Sequence, residues 1–116
     1  MNDFFIIAGG CLGMLIAVVH GYLGATSVIR PITEIHPSAK RVLHGIFFLS
    51  ALYWFIGGAM LVAAPFYLSS NARYFVVLLV GLLYLSAAVV NFWATRGRHF
   101  GWVLLSIATA LAWVEI

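Results

Sequence analysis

The chain has 116 residues, of which 65% are hydrophobic and only 8% charged. Soluble domains carry roughly 25% charged residues, and three acids with six lysines and arginines cannot give a core of this composition a wettable surface. A water-soluble fold is therefore excluded on composition; the formal net charge of +3 resides in short connections and calls for no nucleic acid.

Four runs contain no Asp, Glu, Lys or Arg: Phe4–Ile29, Val42–Ala72, Tyr74–Thr95 and His99–Val114. A spanning helix needs about 20 mostly apolar residues, and in lipid every backbone polar group must be satisfied inside its own segment. The sequence thus predicts an all-α polytopic membrane protein. Residues 1–116 form one transmembrane domain of four helices, over 4–26, 42–65, 74–95 and 99–116, in an antiparallel bundle in the lipid bilayer.

Helix 1 follows Met1-Asn2-Asp3, a start without a basic residue, and its apolar run exceeds the core of a cleavable signal. It is expected to remain in the mature protein. Cys11, the only cysteine, lies inside it, so no intrachain disulfide or thiol cluster is expected and it reads as a small packing residue. Gly9, Gly13, Ala17, Gly21 and Ala25 recur at steps of four. Such ladders let helices approach closely in lipid, within the chain or against a second copy or a partner.

The first connection, Ser27–Arg41, holds Arg30-Pro31, Glu34, His36-Pro37 and Lys40-Arg41, and Pro37-Ser38 can open helix 2. The second, Pro65–Arg73, has Ser69-Ser70-Asn71 as turn chemistry. The third is the tight basic turn Arg96-Gly97-Arg98. With four spans the first and third share a side, which collects Arg30, Lys40, Arg41, Arg96 and Arg98. The other side has Arg73, with Asp3 and Glu115. The positive-inside rule puts the basic side in the cytoplasm. It predicts a cell inner-membrane protein with both termini on the same, periplasmic side. Phe4, Tyr67, Tyr74 and Trp113 fall near the outer interface, Trp93 and Trp102 near the inner one.

His20 lies near the inner end of helix 1 and His44 near the inner start of helix 2, each one to two turns from the connection they share. Asn91, with Thr95 four residues on, lies near the inner end of helix 3, and His99 opens helix 4. His20, His44, Asn91 and His99 are therefore expected in one inner layer, and ionisable residues inside a membrane usually face the bundle interior or a cavity. Helical spacing extends the layer through Tyr84, Ala88, Asn91 and Thr95 on helix 3 and through His99, Trp102, Ser106, Thr109 and Trp113 on helix 4. His44, Phe48, Ala51, Phe55 and Gly58 share a face of helix 2. Tyr84, Asn91, Thr95 and Ser106 complete the polar layer. His20 and His44 are the candidate cofactor-binding residues, for haem, another tetrapyrrole or a divalent metal, with His99 as a third metal candidate. The simplest reading has no cofactor, and the two histidines bond neighbouring helices. Asn91 reads as an interhelical hydrogen-bonding residue.

No Gly-rich phosphate loop, nucleophile elbow or His-Glu zinc motif is present, so catalysis is not expected. The four-helix layout resembles that of the small multidrug exporters, which carry a glutamate in helix 1; Phe4–Ile29 has none. A further resemblance rests on His20-Gly21-Tyr22-Leu23-Gly24, then Arg30-Pro31, then Arg41-Val42-Leu43-His44 and Tyr53-Trp54. These resemble a group of small four-helix bacterial inner-membrane proteins of unknown function, over the first half of the chain. The resemblance implies a bacterial inner membrane and a use for the two histidines, and brings no activity. The expected protein is an accessory subunit of a membrane complex, among other membrane subunits, or a homo-oligomer. The alternative is a cofactor-binding or small-solute transport protein using His20 and His44 near the cytoplasmic face.

Overall fold

The computed structural model describes residues 3–116, and within them the chain is helical apart from its short connections and its last residues. Helix α1 (Asp3–Leu23) continues without a break into a π-helical segment (Gly24–Ile29); α2 covers Pro37–Tyr67, α3 Ser70–Thr95 and α4 Gly101–Trp113. Three of these are long and apolar enough to cross a membrane: Asp3–Ile29, Pro37–Tyr67 and Ser70–Thr95. The expected fourth span is shorter than the sequence suggests. At 13 residues and a rise of 1.5 Å per residue, α4 is about 20 Å long against a hydrocarbon core of about 30 Å. His99 and Phe100 belong to the preceding turn, and the helix ends at Trp113.

The other ends differ from expectation for local reasons. α2 starts five residues before the expected 42, because Lys40 and Arg41 mark where apolar character begins, and charge does not stop a helix. His36 caps it, its Nδ1 accepting from the Ser38 amide at 3.2 Å, with Pro37 in the first turn, where its missing N–H is no loss. Lys40 Nζ ties the connection down by donating to the Ile32 carbonyl at 2.9 Å. α3 starts at Ser70 behind the cap Ser69, whose Oγ accepts from the Ala72 amide. The α3–α4 turn is made by Arg96 and Gly97, both at positive φ (53° and 74°).

Adjacent helices meet in pairs that advance along one chain and retreat along the other. On α1 and α2 the pairs are Gly10 with Gly58, Gly21 with Ala51 and Gly24 with Phe47. On α3 and α4 they are Gly81 with Trp113 and Phe92 with Trp102, whose rings lie 5.0 Å apart. α4 also lies along α1, where a Cβ on Gly9 would sit 3.2 Å from the Ala108 carbonyl. The ladder of helix 1 is thus used within the chain: Gly9 faces α4, Gly13 faces Tyr84 of α3, and Gly21 faces α2. The core between the helices holds Ile6, Leu61, Val77, Tyr84 and Leu105, all essentially inaccessible. At the end opposite the basic turns, Arg73 pairs with Asp3 at 3.0 Å.

Candidate functional site

In the half of the bundle that carries the basic turns, His20 is held closely by its neighbours. Its ring stacks on Phe47 (centroids 4.9 Å apart) and tilts against Trp54 (4.3 Å), while Nε2 lies 2.9 Å from Ser50 Oγ. Phe47, Ser50 and Trp54 recur at three and four, so one face of α2 presents all three. The Ser50 hydroxyl donates its one proton to the Phe47 carbonyl at 3.0 Å. With that bond kept, the serine oxygen accepts from His20 Nε2–H; with the hydroxyl turned to the imidazole, His20 Nε2 is the acceptor.

Two turns towards the middle of the bundle, Tyr84 reaches across it. Its hydroxyl donates to the Trp54 carbonyl at 2.8 Å and lies against Gly13, where a Cβ would overlap it. Seven residues on from Gly13 and from Tyr84 come His20 and Asn91, both half-buried. His99 lies beside Asn91 just ahead of α4: a Cβ on Gly101 would lie 2.9 Å from His99 Nδ1 and 3.3 Å from Asn91 Nδ2.

His44 sits elsewhere. The register opposes His20 to Ser50, and His44 precedes Ser50 by six residues, about 9 Å of rise nearer the start of α2. Of the four residues expected in one layer, Asn91 and His99 come together beside Gly101, and His44 is set more than a turn away from the position that His20 meets. The counting that put His20 and His44 level took helix 1 to end at 26 and helix 2 to begin at 42. Both helices run on into the connection, by unequal amounts. Among the described residues, no three His, Cys, Asp or Glu side chains are grouped so as to hold a metal ion.

The rest of the polar stripe is closed on itself. Thr95 Oγ1 donates to the Asn91 carbonyl at 2.8 Å, Ser106 Oγ to that of Trp102 at 2.7 Å and Thr109 Oγ1 to that of Leu105 at 2.9 Å. These hydroxyls are satisfied on their own helices. Asn91 is the exception, its Oδ1 buried and without a hydrogen-bond partner. Sequence reasoning missed Phe47, Ser50 and Trp54 as the seat of His20. Their three- and four-residue spacing was the available signal. It also left out that Tyr84 needs Gly13.

Comparison with protein-family models, curated proteins and solved structures returns no match.

Proposed function

We propose that this chain is an integral protein of a bacterial inner membrane that acts by lateral association, as an accessory subunit of a membrane complex or as a homo-oligomer, and not by catalysis. One observation carries the reading: large apolar side chains cover the exterior, while the hydroxyls of Tyr84, Thr95, Ser106 and Thr109 are taken up in bonds to helix carbonyls. Leu15, Phe48, Phe75 and Val90 are each 60% exposed or more, and a face of that kind is stable against lipid tails or another apolar helix, not against water. The five basic residues of the two inner connections support a cytoplasmic placement of that end and periplasmic termini.

Native mass spectrometry from mild detergent tests the association. Assemblies of two or more copies, or a stoichiometric complex with another membrane subunit, are expected, and a bare monomer under conditions that preserve known complexes overturns the reading. A reporter fused after Ile116 should be active in the periplasm; cytoplasmic activity reverses the orientation. The rival, a haem or metal on His20 and His44, predicts a coloured or metal-loaded protein, which an absorption spectrum and metal analysis of the same sample decide.

A further inference from the structure

Between α3 and α4 the surface is hollowed into an open groove of about 200 Å³, lined by Leu85, Ala88, Val89, Phe92, Trp102 and Ser106. Its cause lies in side-chain size. Leu85, Ala88, Val89 and Phe92 recur at three and four on one stripe of α3, and Trp102 and Ser106 at four on α4. Within this set Ala88 and Ser106 are too small to fill the space between the helices. The lining is apolar apart from Ser106, whose hydroxyl already donates to the Trp102 carbonyl at 2.7 Å. A polar solute finds no free donor there, whereas hydrocarbon needs none.

One end of the groove adjoins the basic turn. The rings of Phe92 and Trp102 stand there 5.0 Å apart. Trp102 Nε1 donates to the Gly97 carbonyl at 3.2 Å, and a Cβ on Gly97 would lie 2.9 Å from the Phe92 ring. The indole thus gives its polar edge to the turn and its apolar body to the groove, as a tryptophan does at a membrane–water boundary. Gly97 is flanked by Arg96 and Arg98, both exposed. Neither is paired with an acid: among the described residues the one ion pair joins Arg73 to Asp3, at the opposite end of the bundle. A hydrocarbon-lined space and two unneutralised guanidiniums therefore meet across one indole.

We propose that this groove seats an acyl chain of an anionic phospholipid such as phosphatidylglycerol, with the lipid phosphate held by Arg96 and Arg98. Guanidinium presents paired donors that match phosphate oxygens, and basic pockets between membrane helices are where anionic headgroups bind. A zwitterionic lipid carries its own ammonium, which competes with the arginines for the phosphate. The site rests on the placement of the chain in a bilayer and not on its having a protein partner.

The test is native mass spectrometry of the whole protein from mild detergent, with phosphatidylglycerol and phosphatidylcholine of identical acyl chains added in competition. The unmodified protein should retain phosphatidylglycerol in preference by at least about fivefold, the factor that one arginine supplies near a charged surface. Arg96→Gln combined with Arg98→Gln, both at exposed positions, should bring the two lipids to parity. Arg30→Gln combined with Arg41→Gln removes as much charge from the other connection and should leave the preference intact. Ser106→Leu fills the groove and should lower retention of phosphatidylglycerol several-fold at unchanged circular dichroism. Glycerol 3-phosphate, which offers the phosphate without the chains, should displace nothing. Equal retention of the two lipids by the unmodified protein overturns the proposal, as does an equal loss of preference in the two double arginine variants. So does full retention in Ser106→Leu, or displacement by glycerol 3-phosphate, which would mean a bare anion site. Lipid held by the monomer and absent from a dimer would put a second copy in the groove and overturn it as well. An assembly that survives without lipid preference sinks this site alone, whereas a chain that stays dissolved without detergent sinks the membrane placement with it.

Discussion

The Tyr84 hydroxyl fills the space that a side chain at position 13 would need. A Cβ built on Gly13 meets the hydroxyl oxygen first and the ring carbons behind it, and that same hydroxyl donates to the carbonyl of Trp54. Three helices are thereby locked at one level by one tyrosine and one missing side chain. In lipid, where burying apolar surface gives no advantage over leaving it among the tails, close packing and interhelical hydrogen bonds have to hold a bundle together.

The lock predicts non-additivity. Tyr84→Phe loses one hydrogen bond, worth about 0.6 kcal/mol in a membrane on average, and leaves Trp54 with its normal helical bond. Gly13→Ala forces the ring to move and should cost about 1–3 kcal/mol, as overpacking does. In the double variant the oxygen nearest the new methyl is gone, so its loss should be smaller than the sum of the singles by at least about 0.5 kcal/mol. Reversible unfolding in mixed micelles measures all three, and strict additivity would mean that Gly13 and Tyr84 do not touch.

The glycines of the chain should separate into two classes. Gly10 and Gly58 face each other so closely that a Cβ on either meets the carbonyl oxygen of the other, and backbone cannot move aside as a flexible side chain can. Gly10→Ala and Gly58→Ala should each lower the thermal midpoint strongly. At Gly45 a Cβ has nothing within 4 Å, so Gly45→Ala should be neutral or stabilising, by up to about 1 kcal/mol through helix propensity. Gly21→Ala, with only the Ala51 Cβ at 3.4 Å, belongs with the tolerant class although it stands in the same ladder as Gly13. Equal responses at Gly58 and Gly45 would contradict this packing.

The helical class and the positions of three long apolar helices were legible in the sequence, because runs free of charge are a direct record of where lipid-like surroundings are required. Helix ends were not. Lys40 and Arg41 lie inside α2, and His36, read as a bare loop residue, is the cap that starts it. The fourth span looked adequate by hydropathy, which does not see that His99 caps Gly101 from outside the helix. Of the candidate site, residue types were legible and pairing was not. Depth counted from a loop carries an error of a turn or more, enough to place His44 beside His20, whereas the partner that His20 meets on α2 is Ser50, six residues further on.

The free end of α4 packs on α1 near Gly9 and is tied to α3 by one side chain. Trp113 Nε1 donates to the Val77 carbonyl at 3.1 Å, and the indole lies where a Cβ on Gly81 would be. Trp113→Phe keeps most of the apolar contact and should cost little, whereas Gly81→Ala should displace the indole and fray the last turn. Hydrogen exchange of the Leu111 and Ala112 amides should therefore accelerate much more in Gly81→Ala than in Trp113→Phe. The reverse order would show that the indole hydrogen bond, and not its seat, retains the helix end.

The last expectation separates the two inner histidines by what they touch. His20 is clasped by two aromatic rings and a serine hydroxyl; His44 is half-buried, more than a turn nearer the start of α2. His20→Ala removes the ring between Phe47 and Trp54 and leaves a gap, since both belong to one helix and cannot close on each other. Truncations of large buried side chains cost about 2–5 kcal/mol, and the half-buried His20 should fall near the lower figure. His20→Phe keeps the stack, loses the bond to Ser50 and should recover most of that loss. His44→Ala should stay within about 0.5 kcal/mol, as substitutions away from packed features do. Trp54 fluorescence supplies a second reading: losing the His20 ring should alter its intensity, and changing His44 should not. Should His44→Ala prove as damaging as His20→Ala, or should His20→Phe rescue nothing, the clasp on α2 would not be what holds His20 in place.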